Sequence, residues 1–563
     1  MIYRTEHPKP QFMRQAWANL NGLWQFEYDN GLSGEARGMH SPDAQFSMEI
    51  NVPFCVESKL SGIANTDFMN SVWYKREAEL TEEQVAGRVI LHFGAVDYEA
   101  VVYVNGKKVG NHKGGYVSFS FDITDFVTAG KNVITLHAID DTRHRLVACG
   151  KQSYKYESFG CFYTRTTGIW QTVWMEFVPK DYIVATRYDT DIETGIVTIE
   201  ATVCGKGTLK AEAFYEGKPM GSAETKIYNT TGRLSIQLAE THLWEVGAGR
   251  LYDLVLTFGE DKVDSYFGMR SVRMEGYVCL INEKPVYQRL VLDQGFYPDG
   301  IYTAPSDEAL KGDIELSLAM GFNGARLHEK VFEERFLYHA DKMGYIVWGE
   351  YPNWGLDTTY NDVINPVLPE WMEIMRRDYN HPAIVGWCPL NECWERKQCN
   401  DFIRNIYLVT KELDRTRPCI DTSGGFHVKT DIFDIHDYEQ DPEKFAEHFK
   451  DYVSEGKFFD VYARWQPYTG EPMFVSEYGG IQWAQDQAGW GYGNAPKTEE
   501  EFLSRLKGLT DVLMDNEHML GLCYTQLTDV EQEQNGLYTY DRKPKFDPKL
   551  IHPIFARKAK IEE

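Results

Sequence analysis

The sequence predicts a multidomain protein in which two all-β units precede a (β/α)8 barrel. Three observations carry that expectation. At 563 residues the chain is too long for one core, so roughly two to four domains are expected. Up to about residue 274, short alternating apolar runs are broken by Gly and Asn turns. From about 275 onward, strand and helix patterns alternate, as in a parallel sheet.

Residues 1–180 form the first unit. The run "RVILHFGAVDYEAVVYVNGKKVGNHKGGYVSFSFDIT" alternates apolar and polar side chains. Asn105-Gly106 lies in its middle and marks a two-residue hairpin turn, because both positions tolerate positive φ. With "KNVITLHAID" as a further strand, a sandwich or jelly roll is expected. Residues 181–274 carry "GIVTIEATV", "TLKAEAFYEGKPM", "RLSIQLAE" and "LYDLVLTFG", spaced as in a small second sandwich. No titratable cluster falls there, so a spacer is expected.

Residues 275–563 supply the barrel. Its expected strands are "VYQRLVLDQG", "GFNGARLH", "GYIVWGE", "AIVGWCPLNE", "CIDTSG", "DIFDIHDY", "PMFVSEYGG" and "GLCYTQLTD". Helical spacing links several of them. Leu310, Ile314 and Leu318 follow strand one, Phe332, Phe336 and Ala340 follow strand two, and a helix at 369–379 leads into strand four. Phe402, Ile406, Val409 and Leu413 follow strand four, and "TEEEFLSRLKGLTDVLM" precedes strand eight. Strands five and six have no helix between them.

Composition narrows the function. A net charge of −26 opposes binding to nucleic acid, whose phosphates it would repel. The 14% aromatic content fits core packing, or rings that stack on flat ligands and sugars. Ten cysteines form no CxxC pair or zinc-spaced cluster and read as free thiols of a reducing compartment. "MIYRTEHPKPQF" carries no apolar signal core, and no run approaches the ~20 apolar residues of a membrane span. A cytoplasmic, soluble protein without cofactor or metal is expected; homo-oligomerisation stays open.

The chemistry concentrates in two glutamates. In (β/α)8 barrels reacting groups stand at the C-terminal strand ends. Glu392 follows strand four and Glu477 lies at the end of strand seven, each behind an apolar run. Cleavage of a glycosidic bond needs two carboxyl groups, one to protonate the leaving oxygen and one to attack the anomeric carbon or activate water. The acid needs a raised pKa, which Trp387, Trp394 and repulsion within the pair would supply. Asn391 offers an amide for the sugar 2-hydroxyl. Either glutamate alone could be a strand-end ion-pair partner; two together at the barrel mouth favour catalysis.

"PLNE" and "VSEYGG" resemble the acid/base and nucleophile motifs of glycoside hydrolase family 2. "VVYVNGKKVGNHKGGY" and "TRTTGIWQTVWME" are similar to that family's sugar-binding jelly roll. "FGMRSV" before the barrel and "TQLTDVEQEQNGLYTYDRKPK" near the end fit as well, as does an immunoglobulin-like sandwich between the two halves. The resemblance spans nearly the whole chain. It implies retaining hydrolysis with Glu477 as nucleophile and Glu392 as acid/base, an assignment of roles that the residues alone leave open.

Around the pair, Arg326 and His328 end strand two, where they would orient Glu477 or touch sugar hydroxyls; Arg326 reads equally as a structural ion pair. Asp293 and Glu350, ending strands one and three, would support them. "DIHDY" places His436, Asp437 and Tyr438 at the end of strand six, and the family resemblance favours Tyr438 beside the nucleophile; His436 reads equally as a buried, satisfied histidine. Trp348, Trp354, Trp483 and Trp490 are candidates for a stacking platform, although each singly is more often packing. The loop "YESFGCFYTRTTGIW" at 156–170 would bring Arg165 to the barrel mouth or leave it solvated.

For the sugar, the resemblance offers β-galactosidases, β-glucuronidases and β-mannosidases. The glucuronidases' Asn-x-Lys is replaced by Glu533-Gln534-Asn535 before Gly536, and an acidic Glu533 would repel a uronate. "NGLYTYDRKP" resembles bacterial β-galactosidases and would place Asn535 near the sugar. Their metal-binding Glu-Thr-His is absent from "GEYPNWGLD". The expectation is a retaining exo-β-glycosidase, first a β-galactosidase. The alternatives are a β-glucuronidase or an enzyme for another pyranoside (arabinopyranoside, galacturonide), and, from another class, a non-catalytic carbohydrate-binding protein.

Overall fold

The computed structural model describes residues 2–393, 397–455, 468–484 and 489–563. Trp394 lies outside them.

The N-terminal jelly roll packs two antiparallel sheets face to face. One has six strands, in the order Met48–Val52, Gly22–Tyr28, Ser71–Leu80, Gly130–Ile139, Glu99–Val104 and Lys107–Lys113. The other has four: Trp17–Asn19, Val173–Val178, Arg88–Phe93 and Phe119–Asp122. Alternation puts Trp24, Phe26, Tyr74, Val102, Leu136, Leu91 and Phe93 between the sheets. The expected hairpin forms at Asn105-Gly106, with φ of 51° and 78°.

The second sandwich pairs a three-stranded sheet (Tyr182–Asp191, Ile196–Cys204, Thr231–Gln237) with a four-stranded one (Lys218–Ile227, Gly207–Tyr215, Tyr252–Phe258, Asp261–Phe267). Val197, Ile199, Leu209, Leu254 and Phe258 fill the space between. Arg14, from the chain before the first strand, ties the sandwich to the jelly roll: it donates to Asp261 on one side and Glu176 on the other.

The C-terminal unit is built on a curled parallel sheet of seven strands. Their order is Ile384–Cys388, Ile346–Glu350, Gly324–Leu327, Gln288–Asp293, Met519–Thr525, Met473–Gly479 and Phe433–Asp437. Leu290, Leu292, Trp348, Phe474 and Cys523 pack inside it, and Val272, Cys279 and Ile281 of a small preceding sheet plug its bottom. The helices cover the outside. Glu499–Met514 starts at Thr498, whose hydroxyl accepts from the Glu501 amide and satisfies one of the helix's free N–H groups.

Two barrel expectations need correction. "CIDTSG" forms no ladder. It touches strand four and the loop after it at isolated bridges, Trp387 with Cys419 and Asn391 with Ser423. On its other side the Cys419 amide donates to the Asp431 carboxylate, so a side chain takes the place of a neighbouring strand. Strand four ends at Cys388, so Glu392 stands four residues beyond it, in the loop. The Glu392 amide donates to the Ser423 carbonyl at 2.9 Å, and its φ is 51°. A left-handed non-glycine residue costs roughly 1–3 kcal/mol and persists only where its surroundings fix it.

Candidate active site

Glu392 and Glu477 meet over the barrel mouth with His436 between them. One carboxylate oxygen of each and a nitrogen of His436 lie within 4.8 Å of one another. His436 Nδ1 is 2.9 Å from Glu392 Oε1, and Nε2 is 3.4 Å from Glu477 Oε1. The Ser423 hydroxyl, 3.1 Å from Nε2, fixes the ring. The two carboxylates differ in access: the Glu392 side chain is 26% exposed and that of Glu477 7%.

Glu477 is held from both oxygens. Oε1 accepts from Arg326 Nη1 at 3.2 Å, and Oε2 accepts from the Tyr438 hydroxyl at 2.5 Å. Burial pushes this carboxyl up, but the facing charges of His436 and Arg326 outweigh it and hold the group below its usual range. Tyr438 is steadied by stacking on Tyr492, with centroids 3.6 Å apart, and by Thr525 Oγ1 at 3.0 Å.

Arg326 spends its guanidinium on the site's frame: Nε on Glu350 at 2.5 Å, Nη1 on the Ser476 carbonyl and Glu477, and Nη2 on Asn391 Oδ1 at 3.3 Å. It is sealed from solvent, so it orients Glu477 and Asn391 and does not reach a sugar. His328 is equally enclosed. Its Nδ1 lies 3.1 Å from Glu350 and its Nε2 3.8 Å from Glu477, and burial pushes its pKa well below the usual value, which leaves the ring neutral. Glu350 thus fills the supporting place expected of it. Asp293 instead accepts from the Gly295 amide, with Asp313, Arg542 and Lys330 around it. Asn391, with its Oδ1 on Arg326, keeps a buried Nδ2 with no hydrogen-bond partner among the described residues.

Several expectations change. Glu392 is not raised. Burial pushes it up, but the hydrogen bond and charge of His436 win and set it low; Trp387, expected to raise it, is buried and bonded to Asp414. Trp348 lies inside the barrel, bonded to Gln288, because it precedes the strand end by two residues and points into the packed interior. Trp483 packs on Phe502 and Phe546 of the outer layer. Asn535 is fully enclosed: its Oδ1 accepts from Gln526 at 2.8 Å and its Nδ2 donates to Glu533 at 3.2 Å, so it positions Glu533 and is closed off from the mouth. Arg165 neither reaches the mouth nor lies in solvent; it clamps its own loop through the carbonyls of Ser153, Lys155 and Tyr156 and ties it to the carbonyl of Thr66.

The jelly roll completes the mouth. Tyr163 donates to Glu533 Oε2 at 2.6 Å, the Thr164 amide donates to Glu531, and the Cys149 amide donates to the Trp354 carbonyl. Next to Glu392 opens a cleft of about 480 Å³ lined by Tyr154 and Phe162 of that loop and by Asn353, Trp354 and Leu356 of the barrel. Tyr163 and Lys151, which approach the site from the jelly roll, gave no sequence signal, since single polar residues in a loop have no periodicity to betray them.

Three models of glycoside hydrolase family 2 match the chain: its sugar binding domain at residues 17–147, a model described simply as glycosyl hydrolases family 2 at 177–270 and its TIM barrel domain at 272–491. The chain is 24% identical to the β-glucuronidase of Felis catus, covering 97% of this chain and 90% of that protein. It is 23% identical to the β-glucuronidase of Paenibacillus borealis, covering 97% of each. A β-galactosidase of Thermoanaerobacter pseudethanolicus is 27% identical over 66% of this chain, which spans 51% of that protein. Among solved structures, a Ruminococcus gnavus β-glucuronidase in complex with D-glucuronic acid matches with a TM-score of 0.81 at 19% identity, covering 98% of this chain and 100% of that one.

Proposed function

The chain belongs to glycoside hydrolase family 2, and we propose that it is a retaining exo-β-glycosidase that hydrolyses β-glucuronides. The observation that carries the reaction is the pair Glu392 and Glu477 bridged by His436, with their nearest oxygens within 4.8 Å. That separation suits the roughly 5–5.5 Å of retaining enzymes and leaves no room for the water that inverting enzymes hold across about 6.5–9.5 Å.

Glu477, ionised and oriented by Arg326 and Tyr438, attacks the anomeric carbon as the glycosidic C–O bond breaks. Glu392 gives its proton to the leaving oxygen. His436 supplies that proton: the facing carboxylates hold the ring above its usual pKa despite burial, and the 2.9 Å contact carries the proton to Glu392. In the second half, Glu392 takes a proton from water, the hydroxide attacks the same carbon, and Glu477 leaves. Asn391 Nδ2 meets the 2-hydroxyl, and the aglycone occupies the cleft beside Glu392.

The glucuronide assignment replaces the β-galactosidase expected from "NGLYTYDRKP". Its support is similarity to β-glucuronidases along nearly the full chain, where the β-galactosidase match covers a smaller share. A β-galactoside remains the second reading, favoured by acidic Glu533 at the mouth. The test is a panel of nitrophenyl β-glucuronide, galactoside, mannoside, glucoside and arabinopyranoside, with Glu477→Gln and Glu392→Gln as controls and the first-formed anomer read by NMR. Preferential turnover of glucuronide with β product first, lost in both variants, supports the proposal. Preference for galactoside moves it to the second reading. Sugar binding without turnover makes it a carbohydrate-binding protein.

A further inference from the structure

Lys151 is a buried lysine with unused donors at the mouth of the site. It is 5% exposed. Its loop is pinned to the barrel by backbone bonds from Cys149 and Gly150 to the carbonyls of Trp354 and Pro352. A side chain at Gly150, whose φ is 54°, would collide with the Glu329 carbonyl, so the loop sits against the barrel without a gap. The ammonium lies 3.7 Å from the centroid of Trp354, which also lines the cleft beside Glu392. Among the described residues it makes no hydrogen bond or ion pair. The carboxylates whose charge reaches it are Glu533, Glu477 and Glu392, and its own charge acts on His328 and Glu329.

Burying an ammonium costs several kcal/mol unless it is paired, and a ring face replaces only part of that. The other cations nearby are committed. Arg326 serves Glu350, Glu477 and Asn391, Lys330 serves the carbonyls of Gly295 and Tyr302, and Arg165 serves its own loop. The late barrel loop offers Glu533, Gln534 and Asn535 before Gly536, and its cations further on are held elsewhere, Lys545 by Asp529 and Arg542 by Asp313. We propose that Lys151, delivered by the jelly roll, is the specificity residue that binds the substrate's carboxylate, so that the sugar taken is a uronide whose acid group lies at the Lys151 ammonium and gains from its charge more than it loses to Glu533. The proposal rests on the β-glucuronide reading and adds to it the residue that selects the acid over its neutral counterpart. It makes the N-terminal domain part of the sugar site.

The test compares nitrophenyl β-glucuronide with nitrophenyl β-glucoside, which differ only in carboxylate against hydroxymethyl, in wild type, Lys151→Gln and Lys151→Arg. A charge-assisted contact to a carboxylate is worth about 10- to 100-fold. The glucuronide-to-glucoside ratio of kcat/KM should therefore fall by that factor in Lys151→Gln, mainly through KM, and recover in part in Lys151→Arg. Binding of glucaro-1,5-lactone should weaken relative to glucono-1,5-lactone by the same factor. Equal losses on both sugars, or none, would overturn the role and make Lys151 a neutraliser of the carboxylate cluster. Wild type that neither turns over nor binds the glucuronide form overturns the β-glucuronide reading itself. Melting temperature reports folding, and if Lys151→Gln does not fold, Lys151→Arg carries the comparison, with a displaced charge raising KM for glucuronide alone.

Discussion

Tyr438→Phe removes one oxygen and little else. The ring is held by its stack on Tyr492 at 3.6 Å, so it stays in place when the hydroxyl goes. Among the described residues Tyr438 is the one donor to Glu477 Oε2, whereas Oε1 keeps Arg326 at 3.2 Å and His436 at 3.4 Å. The loss is thus one short hydrogen bond to a buried anion, worth about 1.5–3 kcal/mol. If that stabilisation is expressed in the glycosylation transition state, kcat/KM falls by roughly 10- to 150-fold, at about 1.36 kcal/mol per decade. The sign of the pH effect follows from the same bond. Glu477 sits below the usual carboxylate range because its partners favour the charged form. Deleting one partner moves it up, so the protonated, inactive nucleophile appears at higher pH and the acid limb of the kcat/KM profile shifts upward. Stability follows in the same direction: a lowered carboxyl stabilises the fold above its unfolded pKa and loses that contribution as pH falls through the folded one, and the variant starts losing it sooner. The assay is kcat/KM on the preferred nitrophenyl glycoside from acid to neutral pH, with melting curves alongside. A variant within twofold of wild type, or one whose acid limb does not move, would refute the assignment of Tyr438 to Glu477.

Three further outcomes follow from the same geometry. His436→Asn removes the hydrogen bond and charge that hold Glu392 low, so Glu392 moves up under burial and carries the proton itself, and the alkaline limb of kcat/KM changes from the titration of His436 to that of Glu392; an unmoved limb would show that His436 does not govern the acid. Arg326→Met leaves Glu350 and Glu477 buried without their cation and should cost about 3–5 kcal/mol of stability, read as a lower denaturant midpoint with an unchanged slope. Asn391→Ala should lose about 1–2 kcal/mol of transition-state binding on the native sugar and much less on a 2-deoxy analogue, since its free Nδ2 would then have nothing to bind.

The fold was legible wherever side-chain periodicity was under one constraint. The jelly-roll hairpin declared itself because Asn105-Gly106 meets a strict φ requirement. Seven barrel strands declared themselves because burial on both faces makes continuous apolar runs. The segment "CIDTSG" misled for a physical reason: its amides are satisfied by side chains such as Asp431, and an alternation rule cannot foresee that. In the site, the glutamate pair was visible because charge at the end of an apolar run is costly without a use. Depth within a strand was not visible, and Trp348 fell on the wrong side of it. Nor could sequence show that His436 reverses the expected shift of Glu392, since that depends on a 2.9 Å contact between residues 44 positions apart.

The contacts across the mouth bear on what the N-terminal domain is for. A sugar-binding accessory would need only a surface near the barrel. Here Tyr163 neutralises part of the burial cost of Glu533 by donating to it, Thr164 does the same for Glu531, and Gly160 offers its carbonyl to Trp490 and Gln532. These bonds satisfy polar groups of the late barrel loop that would otherwise be partly unpaired at the active-site rim. Glu533 in turn is fixed by Asn535, and Asn535 by Gln526 at the end of the last barrel strand. The chain of contacts therefore runs from the jelly-roll loop to the strand that pairs with the one carrying Glu477. Displacing the loop at 156–170 would leave Glu533 buried with one donor fewer and would disturb the sugar pocket before it touched either catalytic carboxylate. The domain boundary and the active site coincide because the barrel alone leaves one wall of its mouth without partners.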